Sequence, residues 1–600
     1  MSCKTSRWLK VKNFRQSPTL VFAMASCVAV GCFIAPGMGQ CATAPIRLVP
    51  QQRSQIHAEG MPSKQQALLA RMPSNAHHFG VAAVGKPAQP EALTLKFAAG
   101  VTIARISTTP DFNVVSGGST CQTWRLYASA SACQLLVRFT PQGAGPRLGK
   151  LTLTTTANQL VTFSLLGYSS FPVVSFTPSL IKTVAATVSD GAGLINGAQN
   201  LGIDDGDELY IPDTGNNAVR YIDSSGVLRT LASTSAAPWG VTVDLFGEVF
   251  FSVPSANAIY EIYDFGSLAQ ASGTGTDPCG SGTSCFLSGE LVTNPGSMAT
   301  SDGNTIFFTD QNIGAALSDV EDEPASLLRL YDPFPYQATP QTAFSVDSSG
   351  NLYTAWLTSG DCEIVVQPLY DAENSITHVI KVAGGRICGF SGDGGKATGA
   401  EVGKQIGQIA FDLAGNMYFT DSANNRIRRV DALTGIIRTI AGNGSAGRTG
   451  DNGPATEAAL GAPTGVTIDS QGQVYVLTPY NAKATTQVVR MLTVMGALNF
   501  SSQAHGTASA TLILNVANTG TSNLIFNRYK MTGTNPGDFT IDLNSTNCNF
   551  DAGNVLYVGQ SCQIGVIFKP AAAGARSATL RLVDNTVNAV NTVKLTGTGS

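Results

Sequence analysis

The stretch of sequence that decides the fold is residues 408–444, QIAFDLAGNMYFTDSANNRIRRVDALTGIIRTIAGNG. It contains four short runs, IAFD, NMYFTD, RIRRV and IIRTIAG, which combine apolar and β-branched residues in the manner of strands. Gly, Asn and Asp stand between the runs, where they supply the chemistry of tight turns. The stretch therefore predicts a small antiparallel sheet of four strands, which cannot bury both of its faces alone.

The same order of strands and turns recurs along the chain. Residues 201–232, LGIDDGDELYIPDTGNNAVRYIDSSGVLRTLA, repeat it closely, including an Asp-x-x-Asn-Asn segment before the third strand. Four weaker copies complete a set of six, and each copy has an acid at its first turn: Asp204, Asp244, Asp302, Asp347, Asp412 and Asp469. Intervals of roughly 40 to 65 residues fit four-stranded blades with variable loops. The repeats predict a six-bladed β-propeller over residues 171–495.

The last copy lacks an outer strand of its own, because nothing similar to RTIAG follows residues 491–494. Residues 179–194, SLIKTVAATVSDGAGL, resemble the outer strand and loop of the 408–444 copy but precede the first complete copy. We predict that they pair with the last copy and close the ring, which removes a free sheet edge.

The motifs NxYxxDxxNNRIR and RTIAGNG, together with the GDGG and GDNGPAT loops, resemble those of bacterial NHL-repeat propellers. The resemblance covers about half of the chain, and the copies around Asp302 and Asp347 depart from it because they lack the Asn-Asn-Arg segment. It implies that the loops between second and third strands, and those between blades, gather on one face where ligands would bind.

We predict binding residues in the loops of that face. They are Asp213, Asn216, Asn217, Asp310, Asp421, Asn424, Asn425 and Arg426. An alternative is that the three aspartates cap their own turns through hydrogen bonds from side chain to backbone. The sequence leaves both roles open.

Two flanking regions, 92–170 and 496–600, share a second internal repeat. In each, an Asp-Phe pair precedes a cysteine by ten residues, and a proline follows the next cysteine by eight. Alternation of apolar and polar residues predicts a small β-sandwich in each region. The regions resemble Ig-like modules of the ASPM, SPD-2 and Hydin type, as in choice-of-anchor-like proteins. The expected fold is all-β, a six-bladed NHL-type propeller flanked by two Ig-like β-sandwich modules.

The amino terminus has the layout of a secretory signal over residues 1–44. Five basic residues precede an apolar run at 20–35, and an uncleaved membrane anchor is the rival interpretation. Residues 45–91 are rich in Gln, Pro and Ala, which predicts a disordered linker.

The cysteines outside the leader form an even set in sequential pairs, which predicts disulfides in an exported chain. The pairs are Cys121 with Cys133, Cys279 with Cys285, Cys362 with Cys388, and Cys548 with Cys562.

Composition narrows the function classes. The formal net charge of -3 disfavours a nucleic-acid partner held through phosphate contacts. His378 is the single histidine between residues 179 and 494, so a His-ligated metal site is disfavoured there. An acidic segment with Asp319, Glu321, Asp322 and Glu323 lacks the fixed spacing of a calcium loop. We therefore predict no cofactor, with Ca²⁺ as the open alternative.

These patterns together predict a secreted, periplasmic or cell-surface protein. Its expected role is that of a non-catalytic binding or cell-surface interaction scaffold for a protein or glycan ligand, with membrane contact only through the leader. One alternative is a calcium-dependent propeller hydrolase or lyase of the gluconolactonase type. A second alternative is a purely structural protein of the bacterial cell envelope.

Overall fold

The computed structural model describes residues 46–48 and most of 77–600, which belong to one compact unit, Pro45–Ser600. Within 77–600 the residues outside the description are 110, 142–144, 158, 186–193, 205, 224–225, 245–246, 264–266, 273–293, 301–304, 310–313, 319–326, 330–342, 348–349, 358–360, 368–378, 480–485, 551–553 and 587–588. The described structure is all-β, with strands joined by turns and short 3-10 segments. None of its helices has the length and apolarity needed to cross a membrane.

The first nine strands form two sheets that share one hydrophobic core, and we call them the amino-terminal unit. The sheet orders are β1-β3-β7-β5 and β2-β9-β8-β4-β6. Leu95 and Leu135 of the first sheet and Ile103 and Leu153 of the second lie in that core. The strands are β1 Ile46–Leu48, β2 His77–Ala83, β3 Glu91–Phe97, β4 Val101–Thr108, β5 Phe112–Val115, β6 Leu126–Tyr127, β7 Ala132–Phe139, β8 Gly145–Thr155 and β9 Leu160–Ser170.

Strands β1 and β2 lie inside the range that composition predicts to be a disordered linker. β1 pairs with β3, and β2 runs parallel to β9 and buries His77, His78 and Phe79. Three adjacent buried residues give no period of two, which explains why the pattern does not reveal this strand.

Three strands connect the amino-terminal unit to the repeats: β10 Val174–Thr177, β11 Ser179–Ala185 and β12 Ile195–Asn196. Five sheets of four strands follow, each connected in chain order. Their strands are β13 Gly202–Ile203, β14 Leu209–Asp213, β15 Ala218–Ile222 and β16 Leu228–Ser233 in sheet 1; β17 Val241–Val243, β18 Val249–Val253, β19 Ala258–Tyr263 and β20 Ser267–Ser272 in sheet 2; β21 Met298–Thr300, β22 Thr305–Thr309, β23 Gly314–Ser318 and β24 Leu327–Arg329 in sheet 3; β25 Phe344–Val346, β26 Leu352–Leu357, β27 Cys362–Gln367 and β28 Ile380–Gly385 in sheet 4; β29 Ile406–Phe411, β30 Met417–Asp421, β31 Arg426–Val430 and β32 Ile437–Ala441 in sheet 5.

Sheet 6 takes its outer strand from the other end of the repeats. Its own strands are β33 Gly465–Ile468, β34 Val474–Pro479 and β35 Thr486–Asn499. β11 pairs antiparallel with β35, with Ile181 opposite Leu492, which confirms the pairing predicted for the segment that begins at Ser179. The first strands of the six sheets contact one another in the closed order β13, β17, β21, β25, β29, β33 and back to β13. We call these six sheets the ring.

The remaining strands complete a carboxy-terminal unit with a single core. They are β36 Leu512–Asn518, β37 Leu524–Thr532, β38 Phe539–Asp542, β39 Asn554–Leu556, β40 Ser561–Phe568, β41 Gly574–Asp584 and β42 Val590–Gly599. One of its two sheets has the order β10-β36-β40-β38, so β10 lies in this unit. The other sheet continues from the ring, because the end of β35 pairs in parallel with β42.

Five of the six acids that mark the repeats cap the turn between the first and second strands, and the sixth, Asp302, lies outside the described residues. Oδ1 of Asp412 accepts the backbone N–H of Asn416 at 3.0 Å, and Oδ2 accepts the Tyr418 hydroxyl at 2.9 Å. Asp469 makes the same pair of contacts with Gln473 and Tyr475. The repeated Asp is therefore a turn-forming residue that also holds the second strand.

Asp469 makes the stability of the ring depend on pH. Burial, together with the nearby Asp207 carboxylate, raises the pKa of Asp469 from an ordinary value of 3.8 to about 7. Between these pH values the folded chain holds a proton that the unfolded chain has lost, so the free energy of unfolding falls as pH rises from about 4 to about 7. We expect Asp469→Asn to remove up to about 4 kcal/mol of this decline. Urea unfolding across this pH range measures it, and parallel curves for the two proteins would contradict it.

The position of β10 predicts that a change before the ring destabilises the carboxy-terminal unit. Phe176 of β10 is buried opposite Val516 of β36, so Phe176→Ala should cost about 3–5 kcal/mol. Hydrogen exchange of the β36 amides should accelerate accordingly. Tyr529→Ala, at a residue 40% exposed in the same unit, is the control and should leave these amides protected. Unchanged β36 exchange in Phe176→Ala would show that β10 does not stabilise this sheet.

Candidate functional site

The loops between second and third strands of the ring share one backbone design. In sheets 1, 2 and 5 each loop contains one 3-10 turn, and each turn ends at an asparagine in the left-handed conformation. The asparagines are Asn217 with φ 49°, Asn257 with φ 50° and Asn425 with φ 53°. Asparagine tolerates this conformation better than most residues. The left-handed backbone at the end of the turn therefore accounts for the recurrence of asparagine at this position.

These turns lie beside the loops that join one sheet to the next. The Asn424 side chain donates to the Gly389 carbonyl at 2.7 Å, in the loop before sheet 5. The Asn425 side chain donates to the Gly444 carbonyl at 2.9 Å and accepts the Ala462 N–H at 2.6 Å, in the loop before sheet 6. We call the surface formed by these turns and inter-sheet loops the loop face.

Asp213 lies beneath the loop face with its side chain fully buried. Its carboxylate accepts the Asn196 N–H at 2.8 Å, the Asn216 side-chain amide at 2.9 Å and Nε of Arg220 at 2.9 Å. The guanidinium of Arg220 also contacts the Thr230 hydroxyl. The Asp213 carboxylate thus joins the turn to the chain before sheet 1 and to the third strand of the sheet.

Asp421 occupies the same place in sheet 5. Its buried carboxylate accepts the Gly403 N–H at 3.0 Å and the Asn424 amide at 2.8 Å, and lies 3.4 Å from Nη1 of Arg428. Burial raises the pKa of Asp421, whereas these hydrogen bonds favour its ionised form. The contacts hold the turn to the loop that precedes the sheet.

The sequence predicts binding residues in three loops. Two of these loops, in sheets 1 and 5, have the same backbone arrangement. Gly215, Asn216 and Asn217 are exposed at the first, and Ala423 is exposed at the second. Asp310, predicted for a third loop, lies outside the described residues. Contact between a ligand and the predicted residues stays a prediction. Because the turn tips are the exposed part of these loops, we expect a ligand to contact the tips.

Arg426 lies at the border between the turn and both neighbouring loops. Its guanidinium carbon is 3.7 Å from the centroid of the Phe390 ring, a cation–π arrangement. It donates to the carbonyls of Asn424 at 2.8 Å and Asn443 at 3.1 Å. Partial burial lowers the pKa of Arg426. Phe390 is 39% exposed, so a cation and an aromatic edge share this part of the loop face.

Two buried arginines, for which the sequence patterns predict no structural role, hold the inter-sheet loops. Arg428 binds Asp393 of the GDGG loop at 2.9 Å and the Ser391 carbonyl at 3.1 Å. Arg490 binds Asp451 of the GDNG loop at 2.6 Å and the Thr449 carbonyl at 3.2 Å. One sequence pattern could have revealed these contacts: an arginine in the third strand of a sheet accompanies a Gly-Asp loop before the same sheet.

A cavity of about 770 Å³ lies among the first strands of the ring. Its wall combines hydroxyl groups with aromatic rings, among them Thr242, Thr300, Ser345, Tyr353 and Phe411. Both flanking units border it, through Tyr168 of the amino-terminal unit and Thr521 and Val558 of the carboxy-terminal unit. The first-strand runs, such as IAFD with Phe411, predict strands but do not mark these residues as the wall of a cavity.

In the described ranges, no three His, Cys, Asp or Glu side chains are grouped so that they could hold a metal ion. The acidic segment with Asp319, Glu321, Asp322 and Glu323 lies outside those ranges, as do Cys279 and Cys285. The other three predicted cysteine pairs are disulfides: Cys121–Cys133, Cys362–Cys388 and Cys548–Cys562. The second of them ties the third strand of sheet 4 to the loop that carries Phe390.

No protein-family model matches the chain, and no curated protein matches it. Solved structures do. An auxiliary nutrient binding protein from Bacteroides thetaiotaomicron matches with 16% identity and a TM-score of 0.38, over 68% of this chain and 95% of that one. Virginiamycin B lyase from Staphylococcus aureus matches with 12% identity and a TM-score of 0.32, over 65% of this chain and 100% of that one.

A gluconolactonase from Xanthomonas campestris matches with 12% identity and a TM-score of 0.36, over 54% of this chain and 93% of that one. The three proteins have different activities or roles by name. At these TM-scores the similarity assigns none of them to this chain.

The two carboxylates that face Arg428 should differ in their effect on stability. Asp421→Ala removes a fully buried partner and leaves the Gly403 N–H and the Asn424 amide without their acceptor, so we expect a loss of about 3 kcal/mol or more. The Asp393 side chain is 39% exposed, so Asp393→Ala should cost about 1 kcal/mol or less. Urea unfolding of the two variants measures the difference. A larger loss for Asp393→Ala would assign the main support of Arg428 to the exposed pair.

Proposed function

We propose that this protein is an exported, non-catalytic binding scaffold of the bacterial cell envelope. In this proposal a six-bladed NHL-type propeller at 171–495 lies between Ig-like sandwiches at 92–170 and 496–600, after a signal at 1–44. The loop face binds a protein or glycan ligand outside the cytoplasm.

The observation that carries this proposal is the way in which the loop face is supported. The carboxylates of Asp213 and Asp421 and the side chains of Arg428 and Arg490 fix the backbone of its loops from below. The tips of the same loops, such as Ala423, stay exposed. Binding to loops that are already ordered avoids much of the conformational entropy cost of association.

The disulfides support a location outside the cytoplasm. Cys121–Cys133, Cys362–Cys388 and Cys548–Cys562 lie in the amino-terminal unit, the ring and the carboxy-terminal unit respectively. Disulfides persist in secreted and periplasmic proteins and are rare in the reducing cytosol. A bridge in each of these three described units fits a protein that is oxidised in all of them.

The mixed character of the loop face bears on the class of ligand. Arg426 stacks on Phe390 and stays partly exposed, beside the amide groups of Asn424 and Asn425. A cation next to an aromatic edge and amides suits a ligand that carries both hydrogen-bonding groups and a flat apolar surface. Both a glycan and a polar protein loop meet this description.

Cross-linking in intact cells tests the role of the loop face. A photoreactive residue in place of Ala423 should capture a partner, whereas the same residue in place of Leu433 should not, since Leu433 lies at the turn between third and fourth strands. Ala423→Arg should then weaken the captured interaction by about tenfold or more without lowering the melting temperature. Leu433→Arg is the matched control, because Leu433 is 63% exposed.

Two results would overturn the proposal. One is capture of the same species with equal yield from positions 423 and 433. The other is hydrolysis of an aldonolactone by the purified full-length chain that stops when Ca²⁺ is chelated, which would establish the hydrolase alternative.

A further inference from the structure

A loop of the amino-terminal unit presents two large apolar side chains to solvent. Trp124 is 74% exposed and Leu126 is 69% exposed, and Arg125 between them is also exposed. Large apolar side chains exposed together, on a loop with a defined structure, mark a surface that meets something other than water. We call Trp124, Arg125 and Leu126 the tip.

The backbone of the tip is held in an unfavourable conformation. Trp124 has φ 62°, in the left-handed region that bulky side chains rarely adopt. Its N–H donates to the Ile103 carbonyl at 2.6 Å, which anchors the loop to β4. Such a conformation persists only where the surrounding structure enforces it, and it is often found at functional sites.

The base of the tip is packed and cross-linked. Tyr127 stacks on Phe97 with ring centroids 4.5 Å apart, and its hydroxyl accepts the Gln122 N–H at 2.6 Å. The Cys121–Cys133 disulfide closes the loop. Trp124 and Leu126 are therefore presented by an ordered loop, so their exposure is a property of the folded chain.

The charge around the tip is positive. Residues 92–170 contain six lysines and arginines and one acid, Asp111, which is buried and paired with Arg147 at 2.7 Å. Two of the basic side chains are exposed at or near the tip: Arg105 and Arg125. Thr102 pairs with Leu126, which places Arg105 three residues along β4 from the tip.

The tip also lies away from the ring. The contact between the amino-terminal unit and the ring includes the Lys150–Glu248 ion pair at 3.0 Å. Lys150 precedes Thr155 by five residues on β8, and Thr155 pairs with Ile103 at the base of the tip. At about 3.3 Å per residue the tip end of β8 is about 17 Å from this contact.

We propose that the tip docks onto an anionic lipid surface. Trp124 and Leu126 enter the interfacial layer, where tryptophan is favoured because its ring is apolar and its N–H is polar. Arg105 and Arg125 contact the lipid phosphates, and juxtaposed basic side chains strengthen such binding. A soluble polyanion would satisfy the basic side chains but gain nothing from Leu126, so lipid fits the tip better.

Vesicle co-sedimentation of the full-length chain tests this docking. Vesicles that contain phosphatidylglycerol should bind the chain more tightly than vesicles of phosphatidylcholine alone. Trp124→Ser with Leu126→Ser should weaken binding to the anionic vesicles by about tenfold or more. Arg105→Gln with Arg125→Gln should weaken it by a similar factor and reduce its salt dependence. Leu543→Ser is the control for a lost apolar side chain, because Leu543 is 75% exposed in the carboxy-terminal unit.

Quenching of tryptophan emission by brominated lipids locates the contact. The chain has four tryptophans, so the difference in quenching between the wild type and Trp124→Phe reports Trp124 alone, whatever the leader contributes. Greater quenching in the wild type supports insertion of the tip. Equal quenching, or equal vesicle binding by the wild type and the double serine variant, would overturn the proposal. A third outcome would also overturn it. If the chain shows no such quenching but binds dextran sulfate, and the double serine variant still binds it, the tip binds an anionic polysaccharide instead.

Discussion

The architecture depends on a short segment, β10 and β11, that pairs with strands from the far end of the chain. Thr177 receives a hydrogen bond from Asn515, 338 residues further along, and Ile181 lies opposite Leu492. The first contact belongs to the carboxy-terminal unit and the second to the ring. One segment of about twelve residues therefore completes two sheets, and β35 joins the same two bodies from the other direction. Either pairing closes the long loop and brings the other within a few residues of its partner strand, so the ring and the carboxy-terminal unit are coupled through this segment.

Inside the ring, buried charge has a structural use. Asp213 with Arg220 and Asp421 with Arg428 are pairs of fully or nearly fully buried side chains. Moving both charges out of water is costly, and the pair offsets this cost only when the remaining donors and acceptors are also satisfied. Here the partners come from the turn, the third strand and the preceding loop, and among the described residues Nε of Arg428 is the donor of these two pairs that has none. Each pair consequently ties three chain segments together, and it leaves the loops ordered without using their exposed atoms.

The two surfaces proposed for binding follow from the same principle. On the loop face, buried carboxylates and arginines order the backbone and leave turn tips such as Ala423 exposed. At the tip of the amino-terminal unit, Tyr127 and the Cys121–Cys133 disulfide order a loop that exposes Trp124. In both places the residues that give order are distinct from the residues that face solvent. Substitutions at exposed positions can therefore change binding while the supporting contacts stay intact.

Interactions between residues close in sequence determine much of the secondary structure and strand order of this protein, and these can be read from the sequence alone. Alternation and turn residues identify the four-stranded units, and the recurrence of RTIAG-like segments identifies the strand that closes sheet 6. Cysteine spacing identifies the three disulfides of the described residues, since each of these patterns is written within a few residues. Burial of Asp213 and Asp421, in contrast, depends on Arg220 and Arg428 and on loops that precede each sheet. An Asx cap and a ligand contact need the same residue types at the same spacing, so the sequence left the choice open. Only the tertiary structure placed β10 in the carboxy-terminal sheet and sealed those carboxylates inside, because burial and long-range pairing are set by segments that are distant in sequence and adjacent in space.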